Sequence, residues 1–307
     1  MHSLNYALLG DPSIAAELGK KATQTDIATY DRKTGDAILT LSVATGYPEK
    51  LQPLVQMLAF TRQAILHVTT LDPKLGEQVV AADLHGPRPG FLLHDPAVDP
   101  GRVATILRGT GLEGLTPLSG LKELKEKAPL LRPPPPAAGE ARVAVDQCFE
   151  VKGLGTVALG VVLRGTVRKH DDLLLWPART PVQIRSVQMH DDDVPQAPAG
   201  ARVGLALKGV ASAEVSRGEQ LAPEGTLETA AELRFQFRAT PYCKKPVTAG
   251  SQYHLQVGAQ IHPGRARLDG GALIFSSDKP FAHAAGDRAL LLDLNNPGLR
   301  IVGGGVL

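Results

Sequence analysis

The chain has 307 residues, of which 43% are hydrophobic and 21% charged, and a formal net charge of +2. That length carries two or three compact domains, the composition is that of folded protein, and so small a net charge leaves any nucleic-acid reading to local charge. Cys148 and Cys243 form no CxxC pair, which argues against a disulfide framework or a zinc site, and no apolar stretch approaches the ~20 residues that span a bilayer, so a cytoplasmic protein without a membrane segment is expected. Short apolar runs at residues 6–9, 37–43, 64–68 and 90–93 alternate with helical patterns over 14–21, 48–62, 73–84 and 101–107. Such alternation predicts an α/β domain with a largely parallel sheet. A β-like run at 27–30 meets the next through Lys33-Thr34-Gly35-Asp36, whose glycine suits a hairpin, so one strand is expected to be antiparallel. Asp11 and Ser13 read as helix caps with Pro12 in the first turn, Gly86 as the glycine that ends the helix over 73–84, and Ser119 as the cap of a short helix over 121–127.

The clearest break is Arg132-Pro133-Pro134-Pro135-Pro136-Ala137-Ala138-Gly139-Glu140, because consecutive prolines favour extended polyproline II and cannot continue a helix. Beyond it, β-branched runs separated by Gly, Pro and Asp recur every ~8 to 12 residues and helical periodicity disappears, which predicts an all-β half. Strands are expected at 172–176, 182–189 and 202–208, with a turn over 149–156, another at Gly165 and a solvated loop at His190-Asp191-Asp192-Asp193. A second boundary falls at Ala222-Pro223-Glu224-Gly225. The organisation is therefore an α/β domain over 1–131, a Pro-rich linker over 132–140, and two small β-barrels over 141–224 and 225–307.

The segment FEVKGLGTVALGVVLRGTVRKHDDLLLWP, followed by IRSVQMHDDDVPQAPAGARVGLALKGV and RGEQLAP, strongly resembles the second domain of translation elongation factors of the elongation factor Tu class. The selenocysteine-specific branch and its archaeal relatives are the nearest in pattern. The last unit, from Glu232 through Pro246 and Gly258 to Gly304, is similar to the family's third domain more loosely, with no RNA-reading extension expected beyond it. The resemblance implies a first domain of P-loop GTPase type, and its motifs can be sought there. A phosphate cradle needs GxxxxGK[ST], but Gly10 is followed by a Gly19-Lys20 pair nine residues on, and Lys21 stands where Ser or Thr is required. The family's magnesium-side Asp falls on Val43 and its water-orienting His on Tyr47; the guanine-reading Asn-Lys-x-Asp falls on Leu93-His94-Asp95-Pro96. Neither Leu nor Pro can bond a guanine edge through its side chain. The first domain is accordingly expected to be a degenerate GTPase-like α/β domain with no catalytic, nucleotide-binding or metal-ligating residues, and without bound GTP or magnesium.

The barrels carry basic residues that could face RNA: Lys152, Arg164, Arg168, Lys169, His170, Arg185 and Arg202 in the middle barrel, and Lys244, Lys245, His262, Arg265 and Arg267 in the last. By motif position, the resemblance implies an RNA or aminoacyl-end surface at Phe149, Lys152, Gly153, Leu154, Gln188, His190, Arg202 and Val203. The family commonly has an acid where Gln188 stands and an arginine at Leu154. The implied function is a translation elongation factor-like protein that binds tRNA or the ribosome through its barrels, without GTP hydrolysis. Two other readings stay open: an active, GTP-binding factor of the selenocysteine-specific type with unusual nucleotide motifs, and a protein-binding regulator of another translation factor. Cys148, alternating with Phe149 in a strand, reads as a packed thiol.

Overall fold

The computed structural model describes residues 2–134 and 138–307; part of the expected polyproline stretch, residues 135–137, lies outside the described residues. Contacts divide the chain into two compact units, one made of the residues up to Pro134 together with Asn295–Ile301, the other of the remaining described residues.

In the first unit, β1 (His2–Gly10) is followed by a single 3-10 turn and the one-turn helix α1 (Ala15–Leu18), then β2 (Lys20–Thr23), β3 (Ala28–Thr34) and β4 (Ala37–Val43). Next come α2 (Gln52–Phe60), β5 (Gln63–Val68), α3 (Pro73–Leu84), β6 (Gly90–His94), α4 (Pro100–Leu107), β7 (Thr116–Pro117) and α5 (Leu121–Lys127). The sheet order is β2-β3-β4-β1-β5-β6-β7. Strands β4, β1, β5, β6 and β7 are parallel, while β2, β3 and β4 pair antiparallel. Every residue of β4 is buried, the polar Thr40 and Ser42 included, as a strand covered on both faces requires. The hairpin between β3 and β4 turns at Gly35, whose φ is +56°. Helix α3 opens with Asp72, whose carboxylate accepts from Leu75 N at 2.8 Å. It closes at Gly86, in the left-handed region at φ +92°, with its amide donating to Asp83 O at 2.8 Å.

Two local expectations are corrected. The helical pattern over 14–21 yields only one helical turn, because Gly19 is extended and packs against the backbone of Tyr30 and Asp31, so that Lys20 and Lys21 enter edge strand β2. Ser119 does not cap α5 through its side chain; its amide and hydroxyl both donate to the Glu123 carboxylate at 2.8 Å, and Gly120 precedes the helix.

The second unit is all β. Its first barrel comprises β8 (Arg142–Val151), β9 (Gly155–Arg164), β10 (Thr166–Arg168), β11 (Asp172–Trp176), β12 (Thr180–Met189), β13 (Asp192–Val194), β14 (Gln196–Pro198), β15 (Arg202–Lys208) and β16 (Gln220–Ala222). The order β11-β16-β8-β9-β15-β12 closes through pairing of β11 with β12. The expected loop at 190–193 is shorter than read: His190 and Asp191 turn with φ of +51° and +66°, and Asp192 already belongs to β13. Strands β17 (Glu228–Ala239), β18 (Gln252–Val257), β19 (Gln260–Asp269), β20 (Ala272–His283), β21 (Arg288–Leu292) and β22 (Ile301–Val306) form the second closed barrel, around a core that includes Phe235, Phe275 and Phe281. The two barrels share one unit. Arg142 bonds both Asp287 carboxylate oxygens at 2.8 and 2.6 Å and also donates to Gln220, while Gln220 and Gln260 both donate to Ala282 O, so their junction is a satisfied polar network and not a flexible joint. Among the described residues no helix is long and apolar enough to cross a membrane.

Candidate functional site

Two places collect polar groups at the ends or faces of strands. The first is the edge of the parallel sheet where β1 lies between β4 and β5. Chain connections leave that point in opposite directions, which opens a crevice in sheets of this type. Here the local donors are taken up internally. Gly10 N donates to Gln78 Oε1 at 2.8 Å, Asp11 N to His67 O at 2.8 Å, and Ser13 N to Asp11 Oδ1 at 2.8 Å. A Cβ on Gly10 would stand 2.0 Å from His67 O, so the turn lies directly against the neighbouring strand. Burial opposes ionisation of Asp11, but its hydrogen bonds from Ser13 outweigh this and hold its carboxyl below the usual range. Lys20 and Lys21 stand exposed on β2 and not in this turn. Leu93 is buried in β6, and Asp95 accepts from Ala97 N at 2.8 Å.

The second place is the outer wall of the middle barrel. Phe149, Lys152, Gly153 and Leu154 all lie on the β8–β9 hairpin, with Phe149 41% and Leu154 38% exposed. Two large apolar side chains thus stand partly exposed beside an exposed lysine on one hairpin. The strand register then aligns a row across the wall: Gln147 opposite Leu159, Leu159 opposite Gly204, Gly204 opposite Gln188, and Gln188 opposite Asp193. Gly204 gives this row a floor without a side chain. The row covers three strand spacings from β8 to β12, roughly 14 Å along the wall. Gln188 Nε2 donates to Asp193 Oδ1 at 2.9 Å, and His190 sits half-buried in the adjoining turn.

Not all the sequence-derived residues are presented alike. Arg202 Nη2 donates to Asp146 Oδ2 at 2.5 Å, and Arg217 Nε stands 3.3 Å from the other oxygen, so the Arg202 head is committed to a fully buried carboxylate. Val203 is 2% exposed and belongs to the barrel core. Gln147 was not marked by any sequence motif. Its Nε2 is buried with no hydrogen-bond partner, on the strand that carries Phe149 two residues on. Burial pushes the Cys148 thiol above its ordinary value, and both cysteines are free. Among the described residues no group of three or more His, Cys, Asp or Glu side chains could hold a metal ion.

Residues 155–222 match the family model for elongation factor Tu domain 2. Over its whole length the chain is 33% identical to an uncharacterized protein of Methanocaldococcus jannaschii, all of which is covered. The middle barrel belongs to the elongation factor Tu domain 2 family, and parts of the chain are homologous to elongation factor 1-alpha and to selenocysteine-specific elongation factors. A selenocysteine-specific elongation factor from Mus musculus is 30% identical over 48% of this chain and 25% of that protein, so the chain spans only a fraction of the named factors. Among solved structures, translation elongation factor SelB from Methanococcus maripaludis, in complex with the GTP analogue GPPNHP, superposes with a TM-score of 0.84 at 22% identity. That superposition covers 99% of this chain and 78% of the other, and it shows the shared fold: an α/β domain with a parallel sheet followed by two closed barrels. The chain is translation elongation factor-like.

Proposed function

We propose that this protein binds the 3′ end of a tRNA, or an equivalent single-stranded end of ribosomal RNA, on the outer wall of the middle barrel, and that it does so without binding or hydrolysing GTP. The observation that carries the reading is the exposed Phe149–Lys152–Leu154 hairpin beside the row that ends at Gln188 and Asp193. An aromatic face beside a cation supplies what a nucleotide end uses through stacking and phosphate contact. The absence of a GTP cycle is supported by the β1 turn, where the amides of Gly10, Asp11 and Ser13 have acceptors of their own and Asp11 adds a negative charge where a phosphate would need donors. Those residues do not fit a triphosphate.

Mobility shift with aminoacylated and deacylated tRNA tests the first part. Binding that weakens steeply with salt supports it, and absence of a shift with either tRNA at low salt overturns it. Calorimetry with GTP and magnesium tests the second part; a saturable heat would return the protein to the GTP-binding factors. Co-purification with a translation factor but no RNA would favour the regulator reading.

A further inference from the structure

The loop between β4 and α2, residues 44–51, borders the crevice at the edge of the parallel sheet. Its first half is tied to the segment before β3, with Thr45 Oγ1 donating to Thr25 O at 2.7 Å and Gly46 N to Asp26 O at 3.0 Å, whereas Glu49 and Lys50 are exposed and only Leu51 is fully buried. Loops with few apolar contacts open at low cost, and loops beside such a crevice commonly move with what binds there. In this chain one arginine from a segment remote in sequence is fastened to the loop and to the helix behind it. Arg300, in the strap Asn295–Ile301, uses four donors there. Its backbone N and Nε donate to Glu77 Oε1 at 2.9 and 3.1 Å, Nη2 to Glu77 Oε2 at 2.5 Å, and Nη1 to Pro48 O at 2.9 Å. The guanidinium also lies over the Tyr47 ring, 5.6 Å from its centroid, while Tyr47 Oη donates to Lys74 O at 2.8 Å. The Arg300 and Glu77 side chains are 15% and 7% exposed, so the pair is shielded from solvent competition.

We propose that Arg300 is the fastening of a strap that holds residues 44–51 closed in one conformation over the sheet edge, and that releasing it frees this loop while the rest of the fold stays intact. Geometry favours a fastening over incidental packing, because a planar guanidinium satisfied on both edges by a carboxylate and a backbone carbonyl has one position, and the loop carbonyl is thereby tied to α3. This inference is independent of RNA binding and concerns the first unit alone.

Hydrogen exchange of the full chain provides the test, read on peptides covering 44–51 and, as an internal reference, on peptides from β18 and β19. Arg300→Ala is expected to speed exchange across 44–51 at least tenfold and to leave the reference peptides unchanged, with Arg300→Lys falling between Ala and the native chain. Removing one member of a shielded pair strands the other, so Arg300→Ala alone could unfold the first unit. The double variant Arg300→Met with Glu77→Gln removes the fastening without a lone charge, and it too is expected to give fast exchange at 44–51 with a native-like melting transition. Slow exchange at 44–51 in that folded double variant overturns the proposal. So would fast exchange of the loop in the native chain, equal to that of an unprotected peptide.

Discussion

The sheet edge of the first unit and the outer wall of the middle barrel treat polar groups in opposite ways. At the sheet edge, Gly10, Asp11, Ser13, His67 and Gln78 satisfy one another, and the turn is drawn tight against β5. On the barrel wall, hydrophobic side chains stand in solvent and a buried amide has no acceptor. Unmade hydrogen bonds and exposed apolar area both cost stability, so a fold keeps them where something else is gained. On the proposed function, the contrast separates scaffold from binding surface.

The contrast can be broken most severely from beneath the wall. Asp146→Ala leaves the Arg202 and Arg217 charges without their shared carboxylate, and loss of about 3 kcal/mol is expected in urea unfolding, more than any surface change on the same wall. Phe149→Ala sharpens the comparison from the other side. Its expected effect is a drop in tRNA affinity of about tenfold, from the roughly 1–3 kcal/mol that base stacking on an aromatic contributes, with unfolding midpoints moving by less than about 0.5 kcal/mol. A larger stability loss than affinity loss would make Phe149 a structural residue. Gln147→Leu should raise stability by about 1 kcal/mol in urea unfolding, since an unpartnered buried donor is removed; a loss of stability would show that the amide already has a protein partner.

The smallest effect concerns pH in the last barrel. Burial, and then the Lys279 charge, hold His262 below its ordinary value of 6.5, and burial does the same to His254. A depressed folded value means that the unfolded chain takes up the proton first as pH falls. The stability contributed by the neutral rings is present in full above the unfolded value and is lost as pH drops through the folded ones. Melting temperature measured from pH 7.5 down to 5 should therefore fall, and His262→Gln should flatten that slope in part.

Much of the fold was legible because it rests on local patterns. The buried run 37–43, the Pro73-led helix over 73–84 and the short helix over 121–127 coincide with the observed elements, since each is opened by a local signal: Gly35, Pro73 and Gly120. The pattern over 14–21 misled because its apolar positions fit one helical turn, whereas the continuation was decided by close backbone approach of Gly19 to β3, a contact with no local signal. At the candidate site, the turn that carries Lys152, Gly153 and Leu154 was legible from its glycines. What was not legible is the pairing across distance: Asp146 with Arg202 and Arg217, or Glu77 with Arg300, joins residues whose individual settings in sequence give no hint of each other. Gln147 sat unremarked in an apolar run, because a missing partner is a property of three dimensions.

The strap has a consequence for how the molecule is made. A ribosome releases the first 134 residues long before Asn295–Ile301, yet that late segment belongs to the first unit and supplies the arginine that Glu77 and Pro48 receive. Until that segment is made Glu77 lacks its arginine, so the α/β unit reaches its final form only after residues 295–301 have joined it.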